Sequence, residues 1–175
     1  MNKGCIFIGG VHGSGKTQLC KKIQERINCV YLSASQLLKW GKKEKTVDNV
    51  QENQRILKEL LKKEMQNDSL YLIDGHFAIW NNEYKCEKIP LDFFENLNIK
   101  CIILTVENCN VITERLLARN GIHVPSKNIE SISNIEEEHS KFIAQKKGAF
   151  FFQVNVSNIK QIDFTINQVK QICLA

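Results

Sequence analysis

The chain has 175 residues, 43% of them hydrophobic and 25% charged, with a formal net charge of +5. This is room for one domain, residues 1–175, with an ordinary core, and no apolar run approaches the roughly 20 residues needed to cross a bilayer, so no membrane partner is expected. The positive balance suits an anionic ligand. A nucleic-acid partner stays open, but no interleaving of aromatic and basic residues supports one.

Met1-Asn2-Lys3 runs straight into an apolar segment, so no signal peptide is expected. Residues 4–9 read as a first, buried strand. The next eight are Gly10-Val11-His12-Gly13-Ser14-Gly15-Lys16-Thr17, a complete G-x-x-x-x-G-K-T pattern. Glycines let the backbone curl until several N–H groups face an anion. A helix over about 16–27, with Leu19, Ile23 and Ile27 on one face, adds its free N–H groups and the positive end of its dipole. Such a loop binds a polyphosphate: Lys16 reaches the β- and γ-phosphates, and the Thr17 hydroxyl ligates Mg²⁺. ATP and Mg²⁺ are therefore the expected cofactors.

Val30-Tyr31-Leu32 reads as a short second strand. Ser33 or Ser35 then opens a helix through Leu37, Leu38 and Trp40. Val50, Ile56, Leu57, Leu60 and Leu61 recur at helical spacing and predict a long amphipathic helix over about 48–66. Leu70 to Ile73 is a buried strand closed by Asp74-Gly75. A loop containing Trp80 and Asn81-Asn82 follows, then a short helix at 90–96 opened by Pro90. Lys100 to Val106 is a strand, Val111 to Leu117 a helix, and Asn120-Gly121 a turn. Ser133 and Glu136 have the spacing of a capping box for a helix to about Lys147. Ala149 to Val156 is the last strand, and Ser157 caps a terminal helix. Strands alternating with helices predict a three-layer α/β/α fold around a mostly five-stranded parallel sheet.

Seven cysteines, an odd number with no C-x-x-C pair, point to a reduced, cytoplasmic protein whose thiols fill core. The four histidines are not at zinc-ligand spacing with any cysteine pair.

In an open parallel sheet, ligands sit beyond the carboxyl ends of the strands. Asp74 closes one of those strands, where an acid serves Mg²⁺ as readily as a turn. Arg115 and Arg119, two of only four arginines, lie one turn apart on one helix face. A guanidinium fork matches phosphate oxygens; the alternative is a solvated pair bridging to Glu107 or Glu114.

Four segments together resemble the adenylate kinase-like nucleoside monophosphate kinases, especially the compact archaeal-type adenylate kinases and the nuclear adenylate kinase-like ATPases. They are the loop at 10–17, Ser33 to Lys39, Leu72-Ile73-Asp74-Gly75-His76, and Val111 to Arg119, in the family's order. The resemblance implies the P-loop nucleoside triphosphatase fold, a helical acceptor-binding arm at about 33–66 and a short lid at about 120–134. It implies roles as well. Lys16 neutralises the transferring phosphoryl group, Arg115 and Arg119 contact the donor phosphates, and Asp74 positions Mg²⁺. Lys39 and Ser33 lie on the acceptor side. Arg55, with Gln51 and Gln54, is a further acceptor candidate, and His76 either reaches the acceptor or caps a loop. The sequence departs from the family in the lid: 121–134 contains no arginine, and Lys127 is its one cation.

Two functions follow as expectations. The first is Mg²⁺-dependent transfer of the ATP γ-phosphoryl group to a small acceptor, a nucleoside monophosphate first among them. The second is slow ATP hydrolysis that times contact with a protein or RNA partner.

Overall fold

A computed structural model of the chain describes residues 3–39, 46–47, 49–81, 83, 85–121 and 123–174. Five parallel strands form the main sheet: β1 (Cys5–Gly9), β2 (Val30–Ser33), β4 (Tyr71–Asp74), β7 (Ile99–Val106) and β8 (Phe150–Asn155), in the order β2-β4-β1-β7-β8. Every residue of β1 and β4 is buried. This follows from their place in the sheet, where both faces are covered and apolar runs replace alternation.

Period-two alternation divides the core in two. Cys5 and Phe7 of β1 face one cluster, with Ile73, Phe77, Phe93 and Phe94. That layer is α3 (Val50–Glu64), α4 (Leu91–Glu95) and the end of α6 (Ser126–Lys147). Ile6 and Ile8 face the other cluster, under α1 (Lys16–Gln24) and α7 (Ile159–Leu174). The three-layer fold with a five-stranded parallel sheet is as the sequence predicts.

Three local expectations are overturned. Residues 78–81 are not loop but strand β5 (Ala78–Asn81), paired antiparallel with β6 (Cys86–Lys88) and parallel with the two-residue β3 (Thr46–Val47). The reason is burial on both faces: Trp80 and Ala78 pack with Val11, Ile112 and Leu116, while Ile79 joins the Phe7 cluster. Trp80 is thus core; Trp40 lies outside the described residues. The supposed capping box fails because α6 already begins at Ser126, after Pro125, leaving Ser133 and Glu136 well inside it. The last helix is capped by Asn158, whose Oδ1 accepts from the N–H of Gln161, and not by Ser157.

The remaining helices are α2 (Ala34–Leu37), capped by Ser33, one of the two serines offered, and ending before Leu38 where the sequence predicts it to run on, and α5 (Cys109–Asn120), closed by Gly121 in the left-handed region. Register brings the strand ends together. Asp74 lies between Ile8 of β1 and Ser33 of β2, and Gly9 lies beside Leu104 of β7. Among the described residues, no helix is long and apolar enough to cross a membrane.

Candidate functional site

The loop from Gly10 to Thr17 joins β1 to α1 at the carboxyl end of the sheet. Gly10 and Gly15 hold φ of +135° and +96°, and a Cβ on them would overlap Thr105 and Val156 respectively. Glycine is needed at both on two counts, conformation and space. Ser14 is fully buried. Its hydroxyl donates to Val11 O at 2.8 Å and lies 2.6 Å from Thr105 Oγ1, which donates to Gly9 O at 3.0 Å. Val11 anchors the loop through its side chain, buried against Ile112.

Lys16 is expected to be exposed without nucleotide, since a lysine head is strongly hydrated. The structure corrects this: only 8% of Lys16 is accessible. Its Nζ donates to Gly10 O at 2.6 Å and Val11 O at 3.0 Å, and lies 3.3 Å from His76 Nε2. Burial pushes its pKa down, opposed first by the charge of Asp74 and then by that of Glu136.

Asp74, itself buried, accepts from Thr17 Oγ1 at 3.3 Å and from the Tyr31 phenol at 3.0 Å. Burial and then the Asp74 charge push the Tyr31 phenol well up, so it stays a donor. The hydroxyl and carboxylate expected to share a metal therefore stand together. Among the described residues, no three His, Cys, Asp or Glu side chains cluster to hold a metal. Mg²⁺ takes one or two protein oxygens and fills its shell with phosphate and water. The two oxygens fit that ion.

The His12 and His76 rings pack with centroids 4.4 Å apart. His76 thus belongs to the phosphate site and lines the cleft beside it. Arg115 reaches the loop: Nη1 donates to Gly13 O at 3.1 Å, and Nη2 bridges to Glu107 at 3.0 Å. Burial resists ionisation of Glu107. The Asn108 N–H, the Ser157 hydroxyl, Arg115 and Asn155 outweigh it and hold its carboxyl below the usual range. Arg119, exposed one turn on, is close enough for its charge to lower the Lys16 pKa.

On the other side of Asp74 lies a cleft lined by Phe7, Leu38, Leu57, Ile79, Phe93 and the polar pair Gln54 and His76. Ser33 borders it as the α2 cap, 7% exposed. Lys39 is exposed just past Leu38, in a left-handed turn with φ of 56°. Arg55 is corrected: its guanidinium is bound to Glu52 at 2.8 and 2.9 Å on the outer face of α3, with 67% of the side chain accessible. Its neighbour Gln54 takes the inward position, because 100° per residue separates the two. Gln51 is exposed.

Three site residues carried no signal of their own. Tyr31 and Thr105 act through partners distant in sequence, whereas Glu107 is one of the two bridge partners the sequence offers for the arginine pair. Glu136 accepts from the N–H of Phe77 at 3.1 Å and of Ala78 at 3.3 Å, behind the Asp74 turn. Only its sequence company, a serine three residues earlier, could be read, and it misled.

The family model described as an AAA domain matches residues 9–133, which hold the loop, Asp74 and both arginines. The chain belongs to that family. It is 26% identical, over 97% of its length and 95% of the relative's, to the adenylate kinase isoenzyme 6 homolog of Plasmodium falciparum (isolate 3D7). The resemblance to adenylate kinase-like proteins therefore stands. Among solved structures, it superposes on a gluconokinase from Sinorhizobium meliloti 1021 with a TM-score of 0.61, at 14% identity over 97% of this chain and 94% of that one. It superposes equally, TM-score 0.61, on deoxyadenosine kinase from M. mycoides, at 17% identity over 96% and 99%. These likenesses concern the fold, which is that of the P-loop kinases.

Proposed function

We propose that the chain transfers the γ-phosphoryl group of ATP, with Mg²⁺, to a small acceptor, and that the acceptor is a nucleoside monophosphate. The observation that carries this reading is the meeting of Lys16, Thr17, Asp74 and His76 at one end of the sheet, with a cleft opening next to them. Phosphoryl transfer asks a protein for alignment, charge neutralisation and exclusion of water, with little covalent chemistry.

The loop amides and the N-terminus of α1 hold the triphosphate. Lys16 leaves the carbonyls of Gly10 and Val11 for the β- and γ-phosphates, an exchange of neutral for charged acceptors that favours the bound state. Thr17 and Asp74 hold Mg²⁺, which draws charge from the phosphate oxygens when bound. Arg115 and Arg119 spread the charge that develops during transfer. The apolar walls of the cleft take a flat base, with the Gln54 amide at its edge, while His76 and Lys39 meet the acceptor phosphate. The arm at 33–66 and the segment at 120–134 close over the ligands and exclude water.

One observation favours the second reading, a slow ATPase that times contact with a partner. Neither the cleft lining nor residues 121–134 contain an arginine, so the acceptor phosphate meets few strong forks. A coupled assay with MgATP and each of the four nucleoside monophosphates decides. Acceptor-stimulated ATP consumption is expected. No stimulation by any of them overturns the kinase reading, and hydrolysis raised by a protein or RNA partner supports the alternative.

A further inference from the structure

Glu136 is the most deeply buried acid among the described residues, 1% exposed and far from either end of its helix. A carboxylate costs several kcal/mol to desolvate, and the partners of this one offset that cost only in part, since burial still pushes its pKa up. Both of its oxygens accept from the Phe77 N–H at 3.1 Å, and one accepts from the Ala78 N–H at 3.3 Å. The Gly10 N–H is close enough to favour its charged form, and Gly10 and Glu136 line one small cavity. These groups belong to two loops. Gly10 begins the phosphate loop, while Phe77 and Ala78 follow the turn that carries Asp74 and His76. Glu136 reaches the back of the phosphate loop: a Cβ at Gly9 would overlap the Phe77 ring and sit 3.5 Å from Glu136 Oε2.

We infer that Glu136 is a positioning residue: from the middle of α6 one carboxylate fastens the start of the phosphate loop to the turn behind Asp74, and so fixes the spacing between the two halves of the phosphate site. Its negative charge also bears on the Lys16 ammonium. Both oxygens are engaged: each accepts from the Phe77 N–H, Oε1 also accepts from Ala78, and Oε2 lies towards Gly9. The helix whose first turns form most of the 120–134 segment is thereby tied to the loops on which the chemistry depends. The kinetic consequence rests on the kinase reading above; the geometric one does not.

The test compares Glu136→Gln with Ser133→Ala, a change one turn earlier on the same helix. Glutamine keeps the volume but offers one acceptor oxygen where glutamate offers two. Hydrogen exchange by mass spectrometry should quicken about tenfold or more in segment 9–13 or 75–79 of Glu136→Gln. Exchange across Cys101–Thr105 should stay as in the wild type, and Ser133→Ala should change none of the three. With MgATP and the acceptor that the wild type uses, kcat should fall about tenfold or more while KM for ATP moves less than about threefold, because the amides of one loop still bind phosphate. Unchanged exchange in both segments, or exchange quickened evenly over the whole chain, overturns the inference. So does an intact kcat. Should Glu136→Gln not fold, Glu136→Asp keeps the charge and withdraws it by one methylene. Faster exchange at either loop then supports the inference, and wild-type exchange at both overturns it. If the wild type itself shows no acceptor-stimulated turnover, the kinase reading fails and the exchange data still decide the role of Glu136.

Discussion

Around the phosphate loop, polar groups close on one another: Ser14 and Lys16 donate to Val11 O, Thr105 to Gly9 O, Arg115 to Gly13 O, and Thr17 and Tyr31 to Asp74. The cleft beside it is walled by Phe7, Leu57, Ile79 and Phe93, with Gln54 and His76 as its polar members. One region is held rigid by short, directional bonds; the other is shaped by apolar contact and bordered by a helical arm. The difference teaches where specificity is set. A polyphosphate is recognised by main-chain groups that tolerate no rearrangement. On the proposed reading, an acceptor is chosen by the shape of an apolar space and one amide, which substitution can alter without disturbing the fold.

Mutations sharpen this contrast, the largest effect first. Lys16→Ala should lower ATP turnover about 10²–10³-fold. It should also cost about 1–2 kcal/mol of stability, because Gly10 O loses its lysine donor and Val11 O keeps only Ser14; turnover assay and thermal melting read the two losses. Full activity in that variant would mean the loop is not the phosphate site. Asp74→Asn should cost about 10²-fold in rate and raise the magnesium concentration needed for half-activity, seen in a magnesium titration.

Glu136 supplies a test by pH. Burial pushes its carboxyl up to about 7 from 4.5, with the Lys16 charge opposing, and its own charge raises the neighbouring Cys86 thiol. A raised acid contributes stability that is complete below about 4.5 and is lost as pH rises through about 7. The loss is roughly 3 kcal/mol. The wild type should therefore melt about 5 °C or more higher at pH 5 than at pH 8, beyond any change in Glu136→Gln. Equal pH slopes in the two proteins would remove the assignment. Arg119→Ala should slow turnover about tenfold with little change in melting. Arg55→Ala should leave the rate within about twofold, since its guanidinium is turned to Glu52 and solvent. A large rate loss there would erase the distinction between the two regions.

How much of this could be read from the chain differs between the same two regions. The loop was legible because its information is local: eight consecutive residues specify curl, charge and hydroxyl together. The placement of Asp74 at a strand end beside the loop, and of Arg115 against it, was legible from position alone; Arg119 is exposed one turn on. Glu136 was not, because a capping box and an inward-facing acid have the same local sequence, and only the packing of α6 against β5 distinguishes them. Residues 78–81 were hidden for a similar reason. The turn signal of Asn81-Asn82 is local, whereas the burial of Trp80 against Val11 and Leu116 is not. Arg55 and Gln54 are neighbours in sequence, and amphipathic spacing alone left open which of them faces the cleft.

The partnership between Ser14 and Thr105 spans 91 residues, and Glu136 emerges later still. During synthesis the amino-terminal loop leaves the ribosome long before the strand and helix that brace it. Non-local parallel pairing is slow to form, so the nascent chain gains its grip on a nucleotide only near the end of translation. A ligand that binds only the finished arrangement then favours completion by mass action.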